Sequence, residues 1–128
     1  MTTSRGSNAS VLIADDDPLV RRVLRMALES QGYRVLEATD ASEVLSAAEP
    51  RPDLVVLDIN MPGGTVRETL GGLRELHPHL PILVLSGETV APVDLPADAA
   101  EFARKPIDLT DLLSRVRRLL DSAASPMP

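Results

Sequence analysis

Three short apolar runs, each stopped by a residue with oxygen chemistry, constrain this chain most. Val11-Leu12-Ile13-Ala14 ends at Asp15-Asp16-Asp17, Leu54-Val55-Val56-Leu57 ends at Asp58, and Ile82-Leu83-Val84-Leu85 ends at Ser86. A further stretch ends at Lys105-Pro106. Short runs with no polar alternation read as strands covered on both faces, the pattern of a parallel sheet. Such sheets bind ligands beyond the carboxyl ends of their strands. The acids, the hydroxyl and the lysine are therefore expected to converge on one crevice.

The segments between the runs read as helices and weaker strands. Asp17-Pro18 looks like an N-cap followed by a first-turn proline. Leu19, Val20, Val23, Leu24, Ala27 and Leu28 follow at helical spacing, and Gly32 closes the helix. Tyr33 to Ala38 reads as a strand. Asp40 and Glu43 form a capping pair for a short helix reaching Ala48, before Pro50 and Pro52. The Met61-Pro62-Gly63-Gly64 loop precedes a helix from about Val66 to Leu76, weakened by Gly71-Gly72. A short strand near Glu101 to Arg104 and a last helix follow. That helix starts at Asp108 and bears Leu109, Leu112, Leu113, Val116, Leu119 and Leu120. Alternating strands and helices predict an α/β fold, a doubly wound parallel sheet with helices on both faces.

Glu88 to Ala100 departs from that rhythm. Pro92 and Pro96 interrupt it, and proline inside a helix costs ~3 kcal/mol or more. A short or irregular crossover between strands four and five is expected. The remaining boundaries are a disordered lead-in over 1–10, one domain over 11–121, and a flexible tail over 122–128.

With one Tyr, one Phe and no Trp, the core must be aliphatic. The net charge of −6 argues against a direct nucleic-acid surface. Arg115-Val116-Arg117-Arg118 is the local exception and reads as a solvated helix face. The absence of cysteine excludes disulfides and thiolate metal sites. No apolar stretch is long enough to span a membrane, and the start has no apolar signal segment, so a cytoplasmic location is expected.

Clustered carboxylates with a hydroxyl suit a hard cation held by oxygens, most simply Mg²⁺. A carboxylate beside such an ion can attack a phosphoryl group, and a lysine and a hydroxyl can hold the phosphoryl oxygens. Each motif alone is common. The ordered set is specific: Asp16 to Asp58 is 42 residues, Asp58 to Ser86 is 28, and Ser86 to Lys105 is 19.

On these residues the chain, from about Val11 to Leu120, resembles the receiver domains of two-component response regulators of the chemotaxis-regulator type. The resemblance implies a flavodoxin-like, five-stranded sheet of order 2-1-3-4-5. It makes Asp58 the phosphoacceptor, Asp16 the direct Mg²⁺ ligand and Asp15 the partner acid that acts through water. Asn60 would lend its backbone carbonyl to the metal. Ser86 would be the switch hydroxyl, Lys105 the phosphoryl-pairing lysine and Phe102 the switch aromatic. Pro106 fits the family's cis peptide. Asn60 and Glu88 would border the path of the hydrolytic water. The implied partner is a histidine kinase or phosphotransfer protein, with homodimerisation open. The implied chemistry is self-phosphorylation and self-dephosphorylation with Mg²⁺, not enzymatic turnover.

Local readings compete at single positions. Asp17 reads as a cap, Asp15 could also cap its loop, Phe102 could be plain core, and His77 and His79 read as surface residues of a turn. The chain departs from the family after Met61-Pro62, where Gly63-Gly64-Thr65-Val66 replaces the usual Asp-Gly. The segment between Ser86 and Lys105 is also short. Two other functions compete. One is a phosphorylation-independent docking module. The other is a haloacid-dehalogenase-type phosphatase with Asp15 as nucleophile, which leaves Asp58 unexplained. The kinase, the output partner and the pathway are not written in the residues.

Overall fold

The structure, a computed structural model, describes residues 9–87 and 101–124. The crossover at 88–100, with Glu88, lies outside the described residues. Five parallel strands are ordered β2-β1-β3-β4-β5: β1 (Ser10–Ala14), β2 (Arg34–Ala38), β3 (Leu54–Asp58), β4 (Ile82–Ser86) and β5 (Glu101–Arg104). The helices are α1 (Pro18–Glu29), α2 (Ala41–Ala47), α3 (Val66–Leu76) and α4 (Leu109–Ala124). The order is the one expected.

The three apolar runs are the three central strands, and every residue of β3 and β4 is buried. Alternate residues serve opposite faces. Val11, Ile13, Val56 and Leu85 pack with Leu24 and Leu28 of α1 and Leu112 and Val116 of α4. Leu12, Ala14, Leu57 and Val84 pack with Val44 of α2 and Leu70 and Leu73 of α3. β2 is an edge strand and only its last residue is buried. That exposure explains its weaker apolar pattern.

The unit expected over 11–121 is shorter than these elements. Ser10 already belongs to β1, paired with Arg34 of β2, and its N–H donates to the Asp53 carboxylate at 2.8 Å. At the other end, α4 continues to Ala124. Arg115 pairs with Asp111 within α4, and Arg118 with Glu101 of β5, so two of the three arginines of the basic cluster are held in ion pairs.

The loop that departs from the family docks on α2. The Ala41 N–H donates to the Pro62 carbonyl at 3.0 Å, and Gly63 takes φ +92°, a left-handed conformation that favours glycine. Thr65 and Glu68 then form a reciprocal capping box that starts α3. The Gly71-Gly72 pair does not break α3. At Gly72 a Cβ would fall 2.9 Å from Leu45 Cδ2, so this glycine lets α2 and α3 approach closely. His77 is not merely a surface turn residue. Its Nε2 donates to the Ala48 carbonyl at 2.8 Å, tying the end of α3 to the end of α2.

Candidate functional site

Strand register builds the site. Ala14 pairs with Leu57, and Asp58 with Leu85. The residues one step past Ala14 and Leu57 are Asp15 and Asp58, level on neighbouring strands. β2 and β3 flank β1, so the winding direction reverses there and the crevice opens between β1 and β3. Both acids stand at its mouth.

Asp15 is 1% exposed and Asp58 6%. Asp15 is held through both oxygens: Oδ1 accepts from the Asp17 N–H at 2.9 Å, and Oδ2 from Lys105 Nζ at 3.0 Å. Asp58 Oδ1 lies 3.3 Å from the same Nζ and accepts from the Asn60 N–H at 3.4 Å. Lys105 follows β5 through a cis peptide to Pro106, as expected. Asp16 is exposed and its carboxylate makes no hydrogen bond among the described residues. Asp17 caps α1, accepting from Leu19 N–H at 2.9 Å, and takes no place in the cluster.

Burial first, and then the Asp15 charge, push the Asp58 carboxyl above its ordinary pKa; Lys105 opposes them. Burial also works against the Lys105 ammonium. Its contacts with Asp15 and Asp58 outweigh that penalty, and its pKa stands above the ordinary lysine value. Two crowded carboxylates and one lysine leave an excess of negative charge, the condition that draws in a cation.

Asp15, Asp16 and Asp58 each offer a carboxylate oxygen, all within 4.8 Å of one another. This hard-oxygen set fits Mg²⁺, which takes few carboxylates and keeps waters. Asp16 has no competing partner among the described residues, which leaves its carboxylate open to a metal. Asp16→Ala is expected to weaken Mg²⁺ binding about tenfold, read by amide shifts in a titration. Unchanged affinity would remove Asp16 from the ligand set.

Ser86 ends β4 fully buried, and its carbonyl accepts from the Lys105 N–H at 2.7 Å. By strand alternation it shares a face with Val84. Phe102 pairs with Val84 and packs half-buried on that same face. The hydroxyl and the aromatic therefore sit on the α2–α3 side, while Asp15, Asp58 and Lys105 sit on the α1–α4 side.

One feature was missed in the sequence. α1 leaves Leu19 68% and Met26 64% exposed, and Val23 is partly exposed. An open apolar groove of about 460 Å³ runs between Leu19, Val20 and Val23 of α1 and Pro106, Ile107 and Leu109. Lys105 lines it too, so groove and acidic cluster are continuous. The signal was present: the apolar stripe of α1 is wider than one buried face requires.

A family model described as a response regulator receiver domain matches residues 11–117. The response regulator MprA of Mycolicibacterium vanbaalenii is 43% identical over 116 residues, covering 86% of this chain and 49% of that protein. The probable transcriptional regulatory protein TcrX of Mycobacterium tuberculosis is 32% identical over 124 residues, covering 94% and 53%. This chain spans about half the length of these curated relatives. A CheY-like receiver domain protein from Methanospirillum hungatei superposes with a TM-score of 0.83 at 29% identity, covering 91% of this chain and 96% of that one.

Proposed function

The chain belongs to the response regulator receiver domain family of two-component systems, and from that premise we propose that Asp58 is its phosphoacceptor. The observation that carries this is the Lys105 ammonium, bridging Asp15 and Asp58 at the switch point of the sheet. A positive charge there can hold phosphoryl oxygens on whichever carboxylate is open to attack. Asp15 has both oxygens engaged by Asp17 and Lys105; Asp58 has one of its two uncommitted to either.

In the step, an ionised Asp58 oxygen bonds to phosphorus as the donor's N–P bond breaks, and the imidazole leaves with the electron pair. Lys105 holds one phosphoryl oxygen as charge shifts, and Ser86, on the other face of the sheet, is reached through its backbone bond to Lys105. Asp15, Asp16 and Asp58, with the Asn60 carbonyl, would hold Mg²⁺, which would neutralise the oxygens' charge. Water later cleaves the acyl phosphate, releasing phosphate and restoring the carboxylate. In between, the modified state favours one of two conformations, with Ser86 and Phe102 on the responding face. The test is incubation with acetyl phosphate and Mg²⁺, then borohydride trapping and mapping of the modified residue by mass spectrometry. Modification at Asp58 supports the proposal; modification at Asp15 would favour the phosphatase reading.

The natural donor would be a phosphohistidine on a kinase or phosphotransfer protein. The groove beside Lys105 suits an apolar helix of that partner, bringing its imidazole to the crevice. Leu19→Asp together with Val23→Asp is expected to lower kcat/KM for transfer from a phosphorylated donor protein at least tenfold. Labelling by acetyl phosphate should stay within twofold of wild type. Equal loss with both donors would mean that the changes damage the site itself. No described helix is long and apolar enough to cross a membrane.

A further inference from the structure

We infer that Arg21 is a positioning residue for the metal site, acting on the backbone between Asp15 and Asp16; this rests on the Mg²⁺ reading above. Arg21 is on the second turn of α1, and its side chain is 17% exposed. Its Nη1 donates to the Asp15 backbone carbonyl at 2.8 Å, and its Nε to Glu37 Oε1 on β2 at 2.9 Å. The guanidinium fork therefore ties the acidic loop to the edge strand through one rigid plane.

The carbonyl it holds belongs to the Asp15–Asp16 peptide. A peptide unit is planar, so fixing the direction of that C=O fixes the N–H of Asp16 and the position of its Cα. This matters most for Asp16. Asp15 has its carboxylate held by Asp17 and Lys105. Asp16 has no such partner among the described residues, and its aim is set only by the backbone that carries it. Arg21 is the side chain that grips that backbone. Glu37 keeps the grip charged. Bonds from Arg25, and then from Arg21, hold its carboxyl below the ordinary range.

Arg25 provides an internal comparison. It donates to Glu37 at 2.5 Å and to Glu29 at 3.0 Å, in the same ion-pair network, but among the described residues it makes no hydrogen bond or ion pair with the acidic loop. A role in general α1–β2 cohesion would be shared by Arg21 and Arg25. A role in aiming Asp16 belongs to Arg21 alone.

The experiment is an Mg²⁺ titration of the full chain without phosphodonor, followed by amide shifts, with thermal unfolding of the metal-free proteins beside it. Arg21→Met keeps the aliphatic stem and removes the donors. Outer partners of metal ligands are typically worth ~10- to 100-fold in affinity, and a rise of about tenfold in Kd is expected here. Arg25→Ala is expected to lower the unfolding temperature while its Kd stays within twofold of wild type. Arg21→Lys, with a single point of donation, is expected to fall between wild type and Arg21→Met. An Arg21→Met Kd within twofold of wild type overturns the inference and leaves the metal site standing. So does an equal rise in Arg25→Ala. No saturable binding in wild type overturns the metal reading and the inference together. Should Arg21→Met not fold, Glu37→Gln takes its place, with a raised Kd expected and an unchanged one overturning.

Discussion

Asp58→Ala is expected to reduce labelling by acetyl phosphate and Mg²⁺ at least a hundredfold, to background, while the protein stays folded. Attack on phosphorus needs an ionised carboxylate near a positive charge that can hold the phosphoryl oxygens. Asp58 meets that description: it is 6% exposed, 3.3 Å from Lys105 Nζ, at the end of β3. Asp16 has no lysine beside it, and Asp15 is bound through both oxygens. Folding should survive, because burial and the Asp15 charge make the ionised Asp58 a liability in the unmodified state. The competing functions separate cleanly in this experiment. A phosphatase with Asp15 as nucleophile would keep its label in Asp58→Ala and lose it in Asp15→Asn. A docking module that needs no phosphorylation would show no label in wild type. Radiolabel incorporation, measured with and without Mg²⁺, decides among them.

Lys105→Met should give the second large effect, this time on stability. Lys105 supplies the positive charge between two carboxylates that are almost wholly buried. Removing one partner of a buried pair typically costs ~3–5 kcal/mol. Lys105 is a quarter exposed and Asp58 can take up a proton, so a loss of about 2 kcal/mol is expected, roughly 6–10 °C in Tm for a domain of this size. The sign with pH follows from Asp58. Its folded pKa is raised, so the native state binds more protons than the unfolded state between the unfolded value and the folded one. Stability therefore falls as pH rises through that window. Without Lys105 the window extends upward. The deficit against wild type should be largest at neutral pH and shrink as the pH nears that of an ordinary carboxyl. The lysine's own raised pKa acts at the other end: its stabilisation is complete below the ordinary lysine value and is lost as pH climbs through the folded one.

Mg²⁺ should reverse the Lys105→Met loss, since ammonium and metal would neutralise the same oxygens. The variant is expected to bind Mg²⁺ more tightly than wild type and to recover most of its Tm at saturating metal. It should also take up the label yet give less of the wild-type spectral change. Equal Tm without metal at pH 7.5, or weaker Mg²⁺ binding, would contradict this account.

The central strands and the proposed site were legible for one reason. Each apolar run is buried on both faces and stops at the crevice, so burial and chemistry change at the same residue. What was not legible depends on contacts between distant segments. β2 shows a half-exposed pattern because it lies at the edge of the sheet, paired with β1 alone among the strands. The second glycine of α3 is explained only by Leu45, 27 positions earlier. His77 reads as a turn residue until its Ala48 partner is placed. Arg21 looks like any helix-surface arginine, and only the folded chain brings it to the Asp15 carbonyl and to Glu37. The width of the α1 stripe was visible, but whether Leu19 faced a core or open water was decided by where α4 packs.

The bond from the Lys105 N–H to the Ser86 carbonyl has a mechanical consequence. It is a single rung from which two side chains hang on opposite sides of the sheet. One leads to the α1–α4 layer, the other to the α2–α3 layer. A pull on the lysine at the crevice therefore tugs the backbone of the serine through 2.7 Å of hydrogen bond, without having to deform either hydrophobic layer. The sheet is here less a wall between two halves than an axle through it, and a change of charge on one side has a short, stiff route to the other.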